Sequence, residues 1–111
     1  MIAPHRGDLW TVAGGGRVTS KPRPALVVQS DLFALSSYVT VALLTTDHVA
    51  SPTRVAVAAT AATGLGEPSF IMADKLHTIP RTSLGGRIGT VPTATLGEVE
   101  RAILVFLGIG G

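Results

Sequence analysis

The sequence predicts a small β-barrel or strongly bent sheet with one helix packed on it at the C-terminal end. Short runs rich in Val, Ile, Leu and Thr recur along most of the chain, separated by Gly, Pro and Ser, as strands joined by tight connections do. No helical period interrupts them before Pro92. Beyond it, Leu96, Val99, Ile103, Phe106 and Leu107 recur at helical spacing and make one apolar face.

The elements follow in order. Asp8–Val12 reads as a first strand, and Gly14-Gly15-Gly16 opens a loop reaching to about Pro22. Ala25–Gln29 and Val39–Leu44 are apolar enough to be central strands. Arg54–Val57 is a shorter strand, and the small residues of Ala58–Pro68 read as a loop. Ser69–Ala73 and Arg87–Val91 complete the set, with a single helical turn near Pro80–Leu84. In the helix, Thr95 and Glu98 have capping-box spacing, with Thr93 as a cap one turn earlier, and Gly108 closes the pattern. Phe70 and Phe106 are expected in the core, whereas Phe33 and Tyr38 fall in a hairpin turn and are expected at the surface.

A chain of 111 residues suits one domain, residues 1–111, with its own core. Hydrophobic residues make up 46% and charged residues 14%, with a mean hydropathy of +0.45. So apolar a chain is expected to cover part of its surface by forming a homodimer. No run approaches the ~18–20 apolar residues of a membrane span, and the first residues carry no apolar signal segment. Cysteine is absent, which removes disulfides, thiol catalysis and thiolate metal sites. A cytoplasmic protein without membrane contact fits these features. Net charge is only +2, yet Arg6, Arg17, Lys21 and Arg23 face Asp8 alone in the first thirty residues. Such a bias attracts nucleic acid or an acidic partner.

The stretch Lys21-Pro22-Arg23-Pro24 mounts an arginine between two prolines at the mouth of an apolar strand. Each proline locks its own φ and holds the residue before it extended, so the guanidinium has a stiff base and suits a phosphate or carboxylate. The turn-like stretch Asp31–Ser37 is centred on Ala34; Arg23 lies eleven positions before that centre and Thr45 eleven after it. Residues equidistant from a hairpin centre face one another, which brings Arg23 beside Thr45-Thr46-Asp47. His5, His48 and His77 form no ligand-spaced pair, and neither a P-loop nor a Gly-x-Ser-x-Gly elbow occurs. An arginine and a hydroxyl without a cofactor or metal fit phosphoryl chemistry in which the substrate supplies its own nucleophile. RNA does so through its 2′-hydroxyl; DNA has none.

Arg6-Gly7-Asp8-Leu9-Trp10, Arg23-Pro24-Ala25-Leu26-Val27-Val28, Val41-Ala42-Leu43-Leu44-Thr45-Thr46, Ser69-Phe70-Ile71-Met72-Ala73-Asp74-Lys75-Leu76-His77-Thr78 and Leu84-Gly85-Gly86-Arg87-Ile88-Gly89 together resemble, in order and spacing, the PemK/MazF family of toxin endoribonucleases. The resemblance covers nearly the whole chain. It implies an SH3-like barrel of the CcdB/MazF type with a C-terminal helix, assembled as a homodimer. It also implies metal-independent, sequence-specific cutting of single-stranded RNA or mRNA, which inhibits translation and growth. A cognate MazE-like antitoxin with an acidic segment would neutralise the activity. The family's catalytic arginine and threonine fall on Arg23 and Thr45. The loop before Arg23 is shorter than in many relatives and carries Arg17, Thr19 and Lys21, so base selection is expected to differ.

On this reading Arg23 neutralises charge developing on the phosphorus and Thr45 binds the phosphate or orients the 2′-hydroxyl. His48 and His77 are candidates for base contacts or proton transfer. Arg17, Lys21 and Lys75 would supply field and phosphate affinity, with Thr46 at the site and Asp74 orienting a neighbour. A second reading keeps the fold and makes the chain a CcdB-like poison of DNA gyrase. That branch relies on a terminal Trp-Gly-Ile, whereas this chain ends Phe106-Leu107-Gly108-Ile109-Gly110-Gly111.

Overall fold

Why an apolar chain of short strands folds into one bent sheet is visible in how its side chains alternate. The structure, a computed structural model, describes residues 3–13 and 22–110. Six antiparallel strands run β1 (Asp8–Val12), β2 (Arg23–Val27), β3 (Tyr38–Thr45), β4 (Arg54–Val57), β5 (Ser69–Pro80) and β6 (Leu84–Thr90), followed by helix α1 (Thr93–Leu107). Their order in the sheet is β4-β5-β3-β2-β1-β6. The 3₁₀ turn Arg81–Ser83 carries the chain from β5 into β6, which pairs with β1. The sheet therefore curls back on itself as an SH3-like barrel, with no ladder joining β5 to β6.

Alternation divides the core in two. Leu9, Leu26, Ala42, Leu44, Ile71 and Ala73 pack on one face with Val99 and Ala102 of α1. Trp10, Val12, Ala25, Val27, Val39 and Val41 form a second cluster on the other face. Both faces of β2 and β3 are buried, which is why these strands read as continuous apolar runs.

The structure shifts β2 and lengthens β5 and β6. β2 begins at Arg23, two residues before the expected start, because Pro22 and Pro24 already hold that stretch extended, and ends at Val27, two residues before Gln29. β6 begins at Leu84. β5 runs on to Pro80 through a shift in register: between Leu44↔Ile71 and Ala42↔Leu76, β3 moves two residues while β5 moves five. The extra residues form a bulge around Met72–Lys75 and move the inward side chains to the other parity, so that Ile79 joins the second cluster.

Helix α1 starts at Thr93 with Pro92 at its N-cap and no side-chain cap bond. The expected Thr95–Glu98 capping box does not form, because Thr95 already lies inside the first turn. Gly108 closes the helix as expected, at φ 70° and ψ 26°. Val99 and Ala102 are buried, but Phe106 and Leu107 are 49% and 51% exposed. The last turn runs beyond the sheet, so Phe106 does not join the core. Phe33 and Tyr38 are exposed, as expected. None of the described helices is long and apolar enough to cross a membrane.

The loop after β4 is clamped against β6. Thr63 is 1% exposed; its hydroxyl donates to the Ala58 carbonyl at 2.9 Å, and Thr90 N–H donates to the Ala62 carbonyl at 2.9 Å. A Cβ on Gly89 would sit 2.3 Å from the Ala62 carbonyl oxygen and 2.4 Å from Thr63 backbone atoms. Gly89→Ala is therefore expected to lower stability by about 3 kcal/mol or more through backbone displacement. Gly97→Ala has the opposite sign, a gain of about 1 kcal/mol, since its Cβ would meet only the Arg101 Nη1 at 3.7 Å. Urea unfolding of the two variants checks both.

Candidate functional site

The site begins with the register of the β2–β3 hairpin. Its ladder pairs Ala25 with Leu43, Leu26 with Ala42 and Val27 with Val41. Each pair sums to 68, the relation that the hairpin centre at Ala34 requires, so the same register carried outward sets Arg23 opposite Thr45. Directly opposed residues share a face. Both line a recess of about 70 Å³ with Pro24, Leu44, Thr46 and Ser69, far below the ~300 Å³ at which small-molecule pockets begin. The recess has room for a phosphate-sized group.

Pro24 explains why the sheet opens there. Val28 N–H donates to the Thr40 carbonyl at 3.2 Å. Bonded pairs alternate along an antiparallel ladder, so Leu26–Ala42 and Pro24–Leu44 are the next bonded positions. Proline has no N–H to give to the Leu44 carbonyl, and the ladder ends at Ala25–Leu43.

The same row continues across the sheet. Phe70 lies opposite Thr45 and Ala56 opposite Phe70; Val12 lies opposite Arg23 and Leu84 opposite Val12. Every strand thus contributes one residue to a line centred on Arg23 and Thr45. Thr45 Oγ1 accepts the Asp47 N–H at 3.1 Å, which orients the hydroxyl and leaves its hydrogen available. Arg23 is exposed and has no ion pair among the described residues. Three other arginines are committed: Arg6 to Glu100 and the Val28 carbonyl, Arg87 to Asp8 at 3.2 Å, and Arg81 to the Ala34 carbonyl at 2.8 Å; Arg101, exposed on α1, has no partner among the described residues.

The remaining candidates separate. Thr46 is exposed at the recess. His48 reaches the row through Phe70, its ring centroid 5.1 Å away and tilted by 58°. Phe70, expected in the core, is half-buried beside the site and belongs to neither core cluster. Asp74 and Lys75 sit in and beside the β5 bulge. The Asp74 Oδ1 lies 3.7 Å from Arg54 Nε, and neither atom has a hydrogen-bond partner among the described residues. His77 is exposed and lies opposite Val41, four positions along β3 from Thr45, or roughly 13 Å. Arg17 and Lys21 lie outside the described residues. Sequence reasoning passed over Ser69, Phe70 and the role of Pro24; a proline inside an otherwise central strand was the available signal.

Residues 5–107 match the family of PemK-like, MazF-like toxins of type II toxin–antitoxin systems. The chain belongs to this family. A probable endoribonuclease MazF from Mycolicibacterium smegmatis is 44% identical over 108 residues, covering 96% of this chain and 99% of that protein. Among solved structures, a mycobacterial endoribonuclease in complex with its cognate antitoxin superposes with a TM-score of 0.82 at 25% identity, covering 98% and 99% of the two chains. The Mycobacterium tuberculosis toxin MazF-mt6 does so with a TM-score of 0.80 at 27% identity, covering 94% and 99%. The family match falls on the MazF side of the two readings of the sequence, not on the gyrase-poison side.

In this MazF-like chain the opening beside Leu44 depends on a missing donor. Pro24→Ala restores the N–H, so the ladder is expected to gain one bonded pair. Hydrogen exchange at residue 24, compared with that at Leu26, reads the new protection. Stability should stay within about 1 kcal/mol, because the added bond offsets the lost proline rigidity.

Proposed function

We propose that Arg23 and Thr45 are the catalytic pair of this MazF-like toxin endoribonuclease, cutting single-stranded RNA without a metal ion. The observation that carries the reading is their cross-strand register, which sets a cation and a hydroxyl on one face around a phosphate-sized recess. The substrate's 2′-oxygen attacks the adjacent phosphorus. A bond from that oxygen to phosphorus forms, the bond from phosphorus to the 5′-oxygen breaks, and the products are a 2′,3′-cyclic phosphate and a free 5′-hydroxyl. The 2′-hydroxyl loses its proton and the departing oxygen gains one. Arg23 offsets the charge that builds on the non-bridging oxygens, an interaction strongest in the transition state. The Thr45 hydroxyl, its lone pair engaged by Asp47 N–H, donates to the same oxygens. RNA lacking a 2′-hydroxyl at the linkage has no nucleophile and stays intact.

The toxin acts as one domain over residues 1–111, in the cytoplasm, against a cognate antitoxin whose acidic segment answers the basic bias of the first thirty residues. Homodimerisation would cover the apolar surface formed by Phe33, Leu104, Val105, Phe106, Leu107 and Ile109, all exposed in the single chain. Sedimentation equilibrium showing one chain per particle at all concentrations would refute it.

Cutting of a single-stranded RNA in excess chelator is the decisive test. Wild type should release 5′-hydroxyl and cyclic-phosphate ends. Arg23→Ala should slow cleavage by 10³-fold or more, and Thr45→Val by about 10²-fold, in line with loss of transition-state donors. Equal cutting by wild type and Arg23→Ala would exclude the assignment.

A further inference from the structure

A second cavity lies on the side of Arg23 away from Thr45. It encloses about 530 Å³ and is bounded by Trp10, Arg81, Leu84, Gly86 and Arg87. Leu84 stands in the same cross-strand row as Arg23, with Val12 between them. Two strand spacings separate the pair, roughly 10 Å. The small recess and this larger cavity therefore flank one guanidinium.

The walls are set before anything binds. Asp8 is buried at 4% exposure. Its Oδ1 lies 3.2 Å from the Arg87 Nε, while its Oδ2 accepts the Trp10 Nε1–H at 3.4 Å and the His5 N–H at 2.9 Å. One carboxylate thus fixes both an indole and a guanidinium. Arg81, also lining the cavity, donates to the Ala34 carbonyl at 2.8 Å. Each guanidinium retains unused donors from its five. Gly86 adds no side chain, and its N–H is anchored on Thr11 Oγ1 at 2.9 Å.

A ligand suited to this cavity has a flat, weakly polar body, acceptors at its edge and negative charge nearby. Fixed guanidinium planes stack on such a body and bond its edge, and the volume lies within the range of small-molecule pockets. A nucleotide of single-stranded RNA has all three features; an acidic peptide offers the charge without the plane. We infer that the cavity receives the base of a nucleotide flanking the cut linkage, and that it selects the cleaved sequence. This assignment rests on Arg23 holding the scissile phosphate, which sets the neighbouring nucleotide over β1 and β6.

Gly86→Leu fills the cavity from its side. A Cβ there meets nothing within 4 Å, and Gly86 is not among the glycines with positive φ. Arg81→Gln removes a charge from the lining as an independent variant. Wild type and both variants are given a degenerate single-stranded RNA pool, the 5′ ends of the products are sequenced, and KM and kcat are measured on the preferred oligonucleotide. Both variants should flatten the base preference at one flanking position by fivefold or more. KM should rise about tenfold, with a smaller change in kcat. Unaltered preference and KM in both would overturn the inference while leaving the catalytic pair in place. Loss of inhibition by the antitoxin's acidic peptide, with the cleaved word unchanged, would assign the cavity to that peptide and overturn it equally. A wild type that leaves the whole pool intact would instead reject the nuclease reading itself.

Discussion

The structure depends on one register, that of β2 against β3. A slip of one residue would turn β3 over relative to β2, driving Ala42 and Leu44 to the face now filled by Ala25 and Val27 and setting Val41 against Leu26. Both faces are buried, so the slip would lose packing on both sides rather than trade a dry side for a wet one. Packing in the middle of the hairpin thereby fixes what faces what at its open end. Arg23 and Thr45 face each other because Val27 and Val41 do.

Polar tethers extend that constraint to the rest of the chain. The Arg6 guanidinium joins the turn before β1 to Glu100 on α1 and to the Val28 carbonyl, while Arg6 N–H donates to Asp31 at 2.7 Å. Asp8 links the same turn to β6 through Arg87. Arg81 ties the turn before β6 to the hairpin loop. These arginines organise backbone, a duty Arg23 does not share. Its mount is conformational, two prolines, in place of an acidic partner.

Much of this was legible in the sequence. Hairpin symmetry about Ala34 gave the register, β1 and β4 matched their expected bounds, and Gly108 ended the helix. Local pattern carries such features. The second half of β5 was not legible, because Asp74, Lys75, His77 and Thr78 break the alternation that marks a half-buried strand, and a bulge changes parity among them. Nor did the apolar period of α1 show that its last turn leaves the sheet, since periodicity reports a face and not what covers it. Phe70 beside His48 and Asp8 between Trp10 and Arg87 arise only when distant segments converge, and no spacing in one sequence encodes that.

The strand order has a consequence for when the molecule becomes complete. β1 lies between β2 and β6, so both its edges are paired only after four intervening strands, β2 to β5, and then β6 have been made. Until Leu84–Thr90 has left the ribosome, Asp8 lacks Arg87 and β1 has one open edge. A growing chain therefore carries an unpaired edge on β1 through the making of β2, β3, β4 and β5, and the site those strands frame is braced on that side only when β6 arrives.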